Sequence, residues 1–227
     1  DTSKSPALNA TAEDSGSPAG AIGTLVSGLV DLASPSGQAD NVSEVDASAL
    51  LGIALTGTDT ANGSWFYSTD GGANWLAVGV VSDATALLLA ANASTRLYFQ
   101  PNGNFSGTIA SAITFRAWDQ SSGTAGSKVN TSPNGGSSAF SSAFDSASLS
   151  ITSANDAPTG SVGLSGTPLL GQTLTATNTA SIADPDGLGP LHYTWLRNGN
   201  AIAGAADAPS YTTVAADLGA HLSVRVS

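Results

Sequence analysis

Short runs of alternating apolar and polar residues recur along the chain, and no long stretch carries the three-to-four-residue apolar spacing of a surface helix. The alternation predicts strands over 50–55, 64–68, 75–78, 87–89, 95–100, 112–118 and 147–152. A further strand is expected over 8–12, running into Glu13-Asp14, and the spaced apolar residues of 23–32 fit a short strand or a helical turn. Asp70-Gly71-Gly72 divides two of these runs and signals a hairpin, because glycine tolerates the positive φ of a tight turn. Residues 120–144 are rich in Ser, Gly and Asn and read as a long loop. After Pro158 the pattern restarts, with strands expected over 162–164, 172–177, 191–197, 210–212 and 222–226. The fold class is therefore all-β, arranged as two tandem β-sandwich domains over 1–158 and 159–227. The second is short for a complete sandwich and is expected to lack its last strand.

Composition sharpens the reading. Charged residues make up 10% of the chain and Lys plus Arg number 6, so the residues that sustain exposed helices are scarce. The formal net charge of −11 disfavours nucleic acid and anionic membrane surfaces, which attract basic patches. It favours hard cations held by oxygen ligands, or simply a solvated acidic surface. Cys is absent, which removes disulfides, thiol catalysis and thiolate metal sites. Met is absent too, so residue 1 is expected to arise by processing or excision from a longer chain. The most apolar run, 84–91, is too short to cross a bilayer, and no membrane insertion of this segment is expected.

Gln100-Pro101-Asn102-Gly103-Asn104-Phe105-Ser106-Gly107-Thr108, then Ile113-Thr114-Phe115-Arg116-Ala117-Trp118-Asp119, then Asn155-Asp156-Ala157-Pro158 stand in a characteristic order. Over about residues 6–158 this resembles the cadherin-like repeats of large bacterial surface proteins and adhesins. Gly171-Gln172-Thr173-Leu174, Asp184-Pro185-Asp186-Gly187-Leu188-Gly189, Tyr193-Thr194-Trp195-Leu196-Arg197 and Val224-Arg225-Val226 resemble the immunoglobulin-like repeats of similar proteins. The resemblance implies tandem sandwiches, export to the cell surface, and Ca²⁺ at the domain joint. Carried onto this sequence, it implies joint ligands at Glu13, Asn155, Asp156, Asp184 and Asp186. It implies a second, weaker site at the N-terminal end of the first domain, from Asp40, Glu44, Asp46 and Asp119. Ser153 stands where the linker pattern has its first Asp, which removes one ligand. Ca²⁺ takes six to eight oxygens, and sequence-distant carboxylates can supply them. The same residues also read plainly as a linker turn and a surface loop.

Ser68, Asp70, Gly72 and Trp75 match the Asp-box pattern Ser-x-Asp-x-Gly-x-x-Trp, which resembles hairpins of sialidases and implies a structural turn. Arg96 and Arg116 both fall inside expected strands, leaving no arginine cluster for a sugar carboxylate. His192 and His221 lack companion zinc ligands nearby in sequence, and no nucleophile-elbow or nucleotide-binding motif occurs. The chain therefore reads as a non-enzyme. The leading function is a secreted, extracellular stalk or adhesive segment, stiffened by calcium between domains, with neighbouring repeats of the same polypeptide as partners. One alternative is a carbohydrate-binding module, for which exposed aromatics would bind surface glycans. Another is a filament subunit that joins copies of itself by strand donation at an open sheet edge.

Overall fold

Extended backbone forms wherever the sequence alternates, and the two sets of strands gather into separate units. The computed structural model describes residues 3–32, 41–43 and 50–227. The chain divides into Asp1–Ala154 and Asn155–Ser227, a few residues ahead of the expected boundary at 158. The division has a local cause: the Asp156 N–H donates to Asp186 Oδ2 (2.6 Å), so the Asn155-Asp156 segment is tied into the second unit.

The first unit contains β1 (Thr11–Ala12), β2 (Thr24–Leu25), α1 (Ser27–Val30), β3 (Gly52–Thr58), β4 (Gly63–Ser68) and β5 (Leu76–Ala77). It continues with β6 (Ala86–Ala90), β7 (Arg96–Pro101), β8 (Gly107–Trp118), β9 (Lys128–Val129) and β10 (Asp145–Thr152). Six strands form one sheet in the order β1-β10-β8-β3-β6-β9, and four form the other in the order β2-β7-β4-β5. Their facing sides share one core: Ile53, Leu55, Leu89 and Phe115 come from the first sheet, and Trp65, Tyr67, Leu97 and Phe99 from the second. Trp65 and Phe99 meet with ring centroids 4.9 Å apart. The Ala-Leu-Leu-Leu-Ala run of β6 is buried on both faces. Leu87 and Leu89 join the main core, while Leu88 joins Trp118 and Phe140 in a smaller cluster on the other side. Continuous rather than alternating hydrophobicity in that strand thus has a cause, since loop 120–144 folds over its outer face.

That loop is more structured than its composition suggests. It contributes β9, a bridge between Phe140 and Trp118, and the Trp118 indole donation to the Ser122 carbonyl (2.7 Å). Both readings of 23–32 hold in part, for the segment supplies β2 and then the single turn α1. Gly52 is required where it stands, because a Cβ there would press on the Leu89 carbonyl and the Trp118 ring.

The second unit contains β11 (Gly163–Ser165), β12 (Thr173–Thr177), β13 (Tyr193–Arg197), β14 (Asn200–Ala201), β15 (Ser210–Thr212) and β16 (Leu222–Val226). They form two three-stranded sheets, β11-β12-β15 and β14-β13-β16. Trp195 of β13 is 1% exposed and stacks on Tyr211 of β15 at 5.4 Å, so one aromatic pair joins the two sheets. Among the described residues no helix is long and apolar enough to cross a membrane.

Phe115 sits in β8 between β10 and β3 and is 1% exposed. Phe115→Ala is expected to destabilise the first unit by about 3–5 kcal/mol, through lost burial and the cavity left behind. Urea unfolding measures this, and a loss below about 1 kcal/mol would place the packing centre of the unit elsewhere.

Candidate functional site

Asp184-Pro185-Asp186-Gly187 closes as a turn because its first carboxylate caps it. The Asp186 N–H donates to Asp184 Oδ1 (2.9 Å) and the Gly187 N–H to the Asp184 carbonyl (3.1 Å). Asp186 then accepts the Asp156 N–H, while the Asn155 side-chain amide donates to the Asp156 carbonyl (3.0 Å). Four of the five expected joint residues, Asn155, Asp156, Asp184 and Asp186, are thereby gathered within the second unit. Among the described residues, Asp184 Oδ2 and Asp186 Oδ1 accept no hydrogen bond and keep lone pairs for a cation. No group of three or more His, Cys, Asp or Glu side chains among the described residues converges as a metal cage. A hard cation here would draw the rest of its shell from Asn155, backbone carbonyls and water, which suits Ca²⁺ better than zinc.

Glu13, the fifth residue, is only 4% exposed and works within the first unit. Its Oε1 accepts the Ala154 N–H (2.6 Å) and its own N–H donates to the Thr152 carbonyl (2.9 Å). It thus anchors the end of β10. Of the weaker set, Asp40, Glu44 and Asp46 lie outside the described residues. Asp119 spends one oxygen on its own turn, accepting from the Ser121 N–H and hydroxyl at 2.8 and 2.7 Å.

The Asp-box residues form a closed network. Ser68 Oγ donates to Asp70 Oδ1 (2.8 Å) and accepts the Gly72 N–H (2.9 Å). Asp70 also accepts the Asn74 N–H (2.9 Å) and side-chain amide (2.7 Å). These donors, the Asn74 N–H foremost, hold the Asp70 carboxyl down to about 2. Gly72 has φ +96° and a Cβ there would collide with the Gly20 carbonyl, leaving no room for a side chain. The Trp75 indole N–H donates to that same carbonyl (3.2 Å), and its ring meets Tyr98 edge-on at 5.9 Å. Ser68 and Asp70 thus close the hairpin on itself, while Gly72 and Trp75 tie it to the segment around Gly20. Trp65, Trp118 and Trp195 are buried, and Trp75 is half-buried.

Three ion pairs escaped the sequence reading because their partners lie far apart in sequence. Arg116 Nε pairs with Asp83 Oδ1 (2.7 Å), and Thr131 donates to the same oxygen (3.0 Å). His192 Nδ1 lies 2.7 Å from Asp207 Oδ2. Arg197 Nη2 lies 2.6 Å from Asp217 Oδ1, whose other oxygen accepts from the Tyr211 hydroxyl (2.9 Å) and the Val214 N–H (2.7 Å). The buried Asp217 carboxylate thus holds the turn before β16. Lys128 lies in β9 and donates to the Val80 carbonyl (2.7 Å).

Comparison of the chain with protein-family models, with curated proteins and with solved structures finds no match.

Burial pushes the Asp217 carboxyl up, but the Val214 N–H, Arg197 and Tyr211 outweigh it, and its pKa falls below the ordinary 3.8. Its contribution to stability is complete above about 3.8 and is lost as pH falls through the lower folded value. The melting temperature of the second unit is expected to drop as pH is lowered from about 4 toward 2. Asp217→Asn should cost on the order of 3 kcal/mol at pH 7 and flatten that acid limb, as read by melts across pH. An unchanged acid limb in the variant would remove Asp217 from this role.

Proposed function

We propose that the chain is a structural and adhesive repeat segment of a secreted bacterial surface protein, with calcium held at the Asp184–Asp186 turn. The supporting observation is the bond from the Asp156 N–H to Asp186 Oδ2, which brings the Asn155-Asp156 segment to a turn that carries two further carboxylates. Oxygen donors on two sequence-distant segments give a hard cation a crosslinking role. Binding Ca²⁺ fixes a loop to a linker, and without the ion the carboxylates repel. The resemblance of 100–119 and 155–158 to cadherin-like repeats, and of 171–226 to immunoglobulin-like repeats, points the same way. On this reading the natural partners are neighbouring repeats of the same polypeptide, and the tight Asp-box hairpin serves strength rather than catalysis.

Calcium at about one hundred times its Kd should stabilise the second unit by about 2.7 kcal/mol, raising its melting temperature by about 10 °C or more. A chelator should reverse the rise. Asp186→Asn keeps an oxygen for the Asp156 N–H but removes the charge, and should abolish most of the response while leaving the metal-free melt nearly unchanged. A wild-type melt indifferent to calcium and chelator would sink the calcium reading.

A further inference from the structure

The four-stranded sheet of the first unit turns one side to the core and the other away from it. Trp65, Tyr67, Leu97 and Phe99 point inward. Alternation therefore sends Phe66 of β4 and Tyr98 of β7 outward, where they stand directly opposite each other. Ala77 of β5 flanks Phe66 on its other side. Trp75 lies one pleat from Ala77 and meets the Tyr98 ring at 5.9 Å. A row of aromatic rings thus crosses the outer face. Tyr98 is buried, its hydroxyl donating to the Gly16 carbonyl (3.0 Å), and it serves as backing for the others. Phe66 and Trp75 are part-exposed, and Ala77 is exposed. Polar groups stand beside these rings. Ser64 and Gln100 form the next outward pair along the same two strands, about 7 Å from Phe66 and Tyr98. Among the described residues neither side chain has an intramolecular hydrogen bond, although each can both donate and accept. Arg96 is the one charged residue at the outward positions of the four strands, and its Nη1 donates to the Ile22 carbonyl at 3.4 Å.

We infer that this outer face binds a neutral polysaccharide, its pyranose rings stacked on Phe66 and Trp75 and its hydroxyls taken by Ser64 and Gln100. A sugar ring has a face of C–H groups that sheds water onto an aromatic plane, and a rim of hydroxyls that needs donors and acceptors beside that plane. Both requirements are met within one pleat of Phe66. Charge selects a neutral polymer. With a formal charge of −11 the chain repels polyanions, and the absence of carboxylates at the outward strand positions gives a cationic partner nothing to pair with there. An apolar protein surface would bury the Gln100 amide unpaired, which costs more than the rings return. Two part-exposed rings and a few polar groups make a weak site, with Kd on the order of 0.1–1 mM. The inference rests on the adhesive part of the function proposed above, for which it names a ligand class, and not on calcium.

Affinity electrophoresis of the full chain through gels holding soluble polysaccharide tests this, in chelator so that its outcome is separate from that of the calcium melts. The neutral polymers are hydroxyethylcellulose, xylan, galactomannan, dextran and starch, with polygalacturonate as the acidic control. Retardation by at least one neutral polymer, and none by polygalacturonate, is expected. Phe66→Ala should weaken that binding about five- to thirtyfold, and Gln100→Ala about three- to tenfold. Phe66→Trp keeps a ring at the position and should retain binding. Trp75 is left intact because it ties the hairpin to Gly20. Urea unfolding reports whether each variant folds, and Gln100→Ala with Phe66→Trp decides the matter if Phe66→Ala does not. The inference is overturned if no neutral polymer retards the chain, if polygalacturonate alone does, or if Phe66→Ala and Gln100→Ala leave retardation unchanged. Self-association lost in Phe66→Ala, with no retardation by any polymer, would assign the face to a second copy of the chain instead.

Discussion

Each unit depends on the apolar layer between its facing sheets, because little else in this sequence can hold it. There is no Cys to crosslink the chain, and the described residues contain three ion pairs, one of them largely exposed. In the first unit Phe115, Ile53 and Leu55 on one sheet close against Trp65, Leu97 and Phe99 on the other. In the second unit the layer is thinner, and Trp195 with Tyr211 carries much of it. Burying large rings is the efficient way to gain area in a short chain, and three of the four tryptophans, Trp65, Trp118 and Trp195, are placed accordingly.

The acidity of the chain has a structural use beside any cation. Asp59, Asp119 and Asp184 each accept the N–H of the residue two places on, at 2.9, 2.8 and 2.9 Å, closing turns with a side-chain oxygen in place of a backbone carbonyl. Asp70 does the same across a longer hairpin, and Asp207 accepts the Tyr193 N–H together with His192. Much of the negative charge is thus spent on backbone donors that a β-rich chain leaves at its strand ends.

Strands with clear alternation were legible in advance. The expected strand 222–226 coincides with β16, and 210–212 with β15. Two of the two-residue strands were not: β14 and β9 carry too few positions to show a period, and their pairing partners decide them. The Asp box was readable because the bonds among Ser68, Asp70, Gly72 and Asn74 lie within seven residues of sequence, while the Trp75 bond to Gly20 was not. The Asp217 cluster was not, since Arg197 and Tyr211 reach it from two other strands. At the candidate site the residue types were visible, but the bond from Asp156 to Asp186 across thirty residues, and the diversion of Glu13 to Ala154, needed coordinates.

The start and finish of the first unit lie side by side. β1 runs parallel to β10, with Thr11 beside Ile151 and Ala12 beside Thr152. Bonds from Leu8 to Ser148, from Ser148 to Pro6 and from Glu13 to Thr152 extend that contact at both ends. Tension drawn along the polypeptide pulls β1 from its leading end and β10 from its trailing end. In parallel strands these are opposite ends, so the load falls across the bonds in shear and they must yield together instead of unzipping one by one. The Glu13 carboxylate, closed on the Ala154 N–H, sits at the point where that load first arrives.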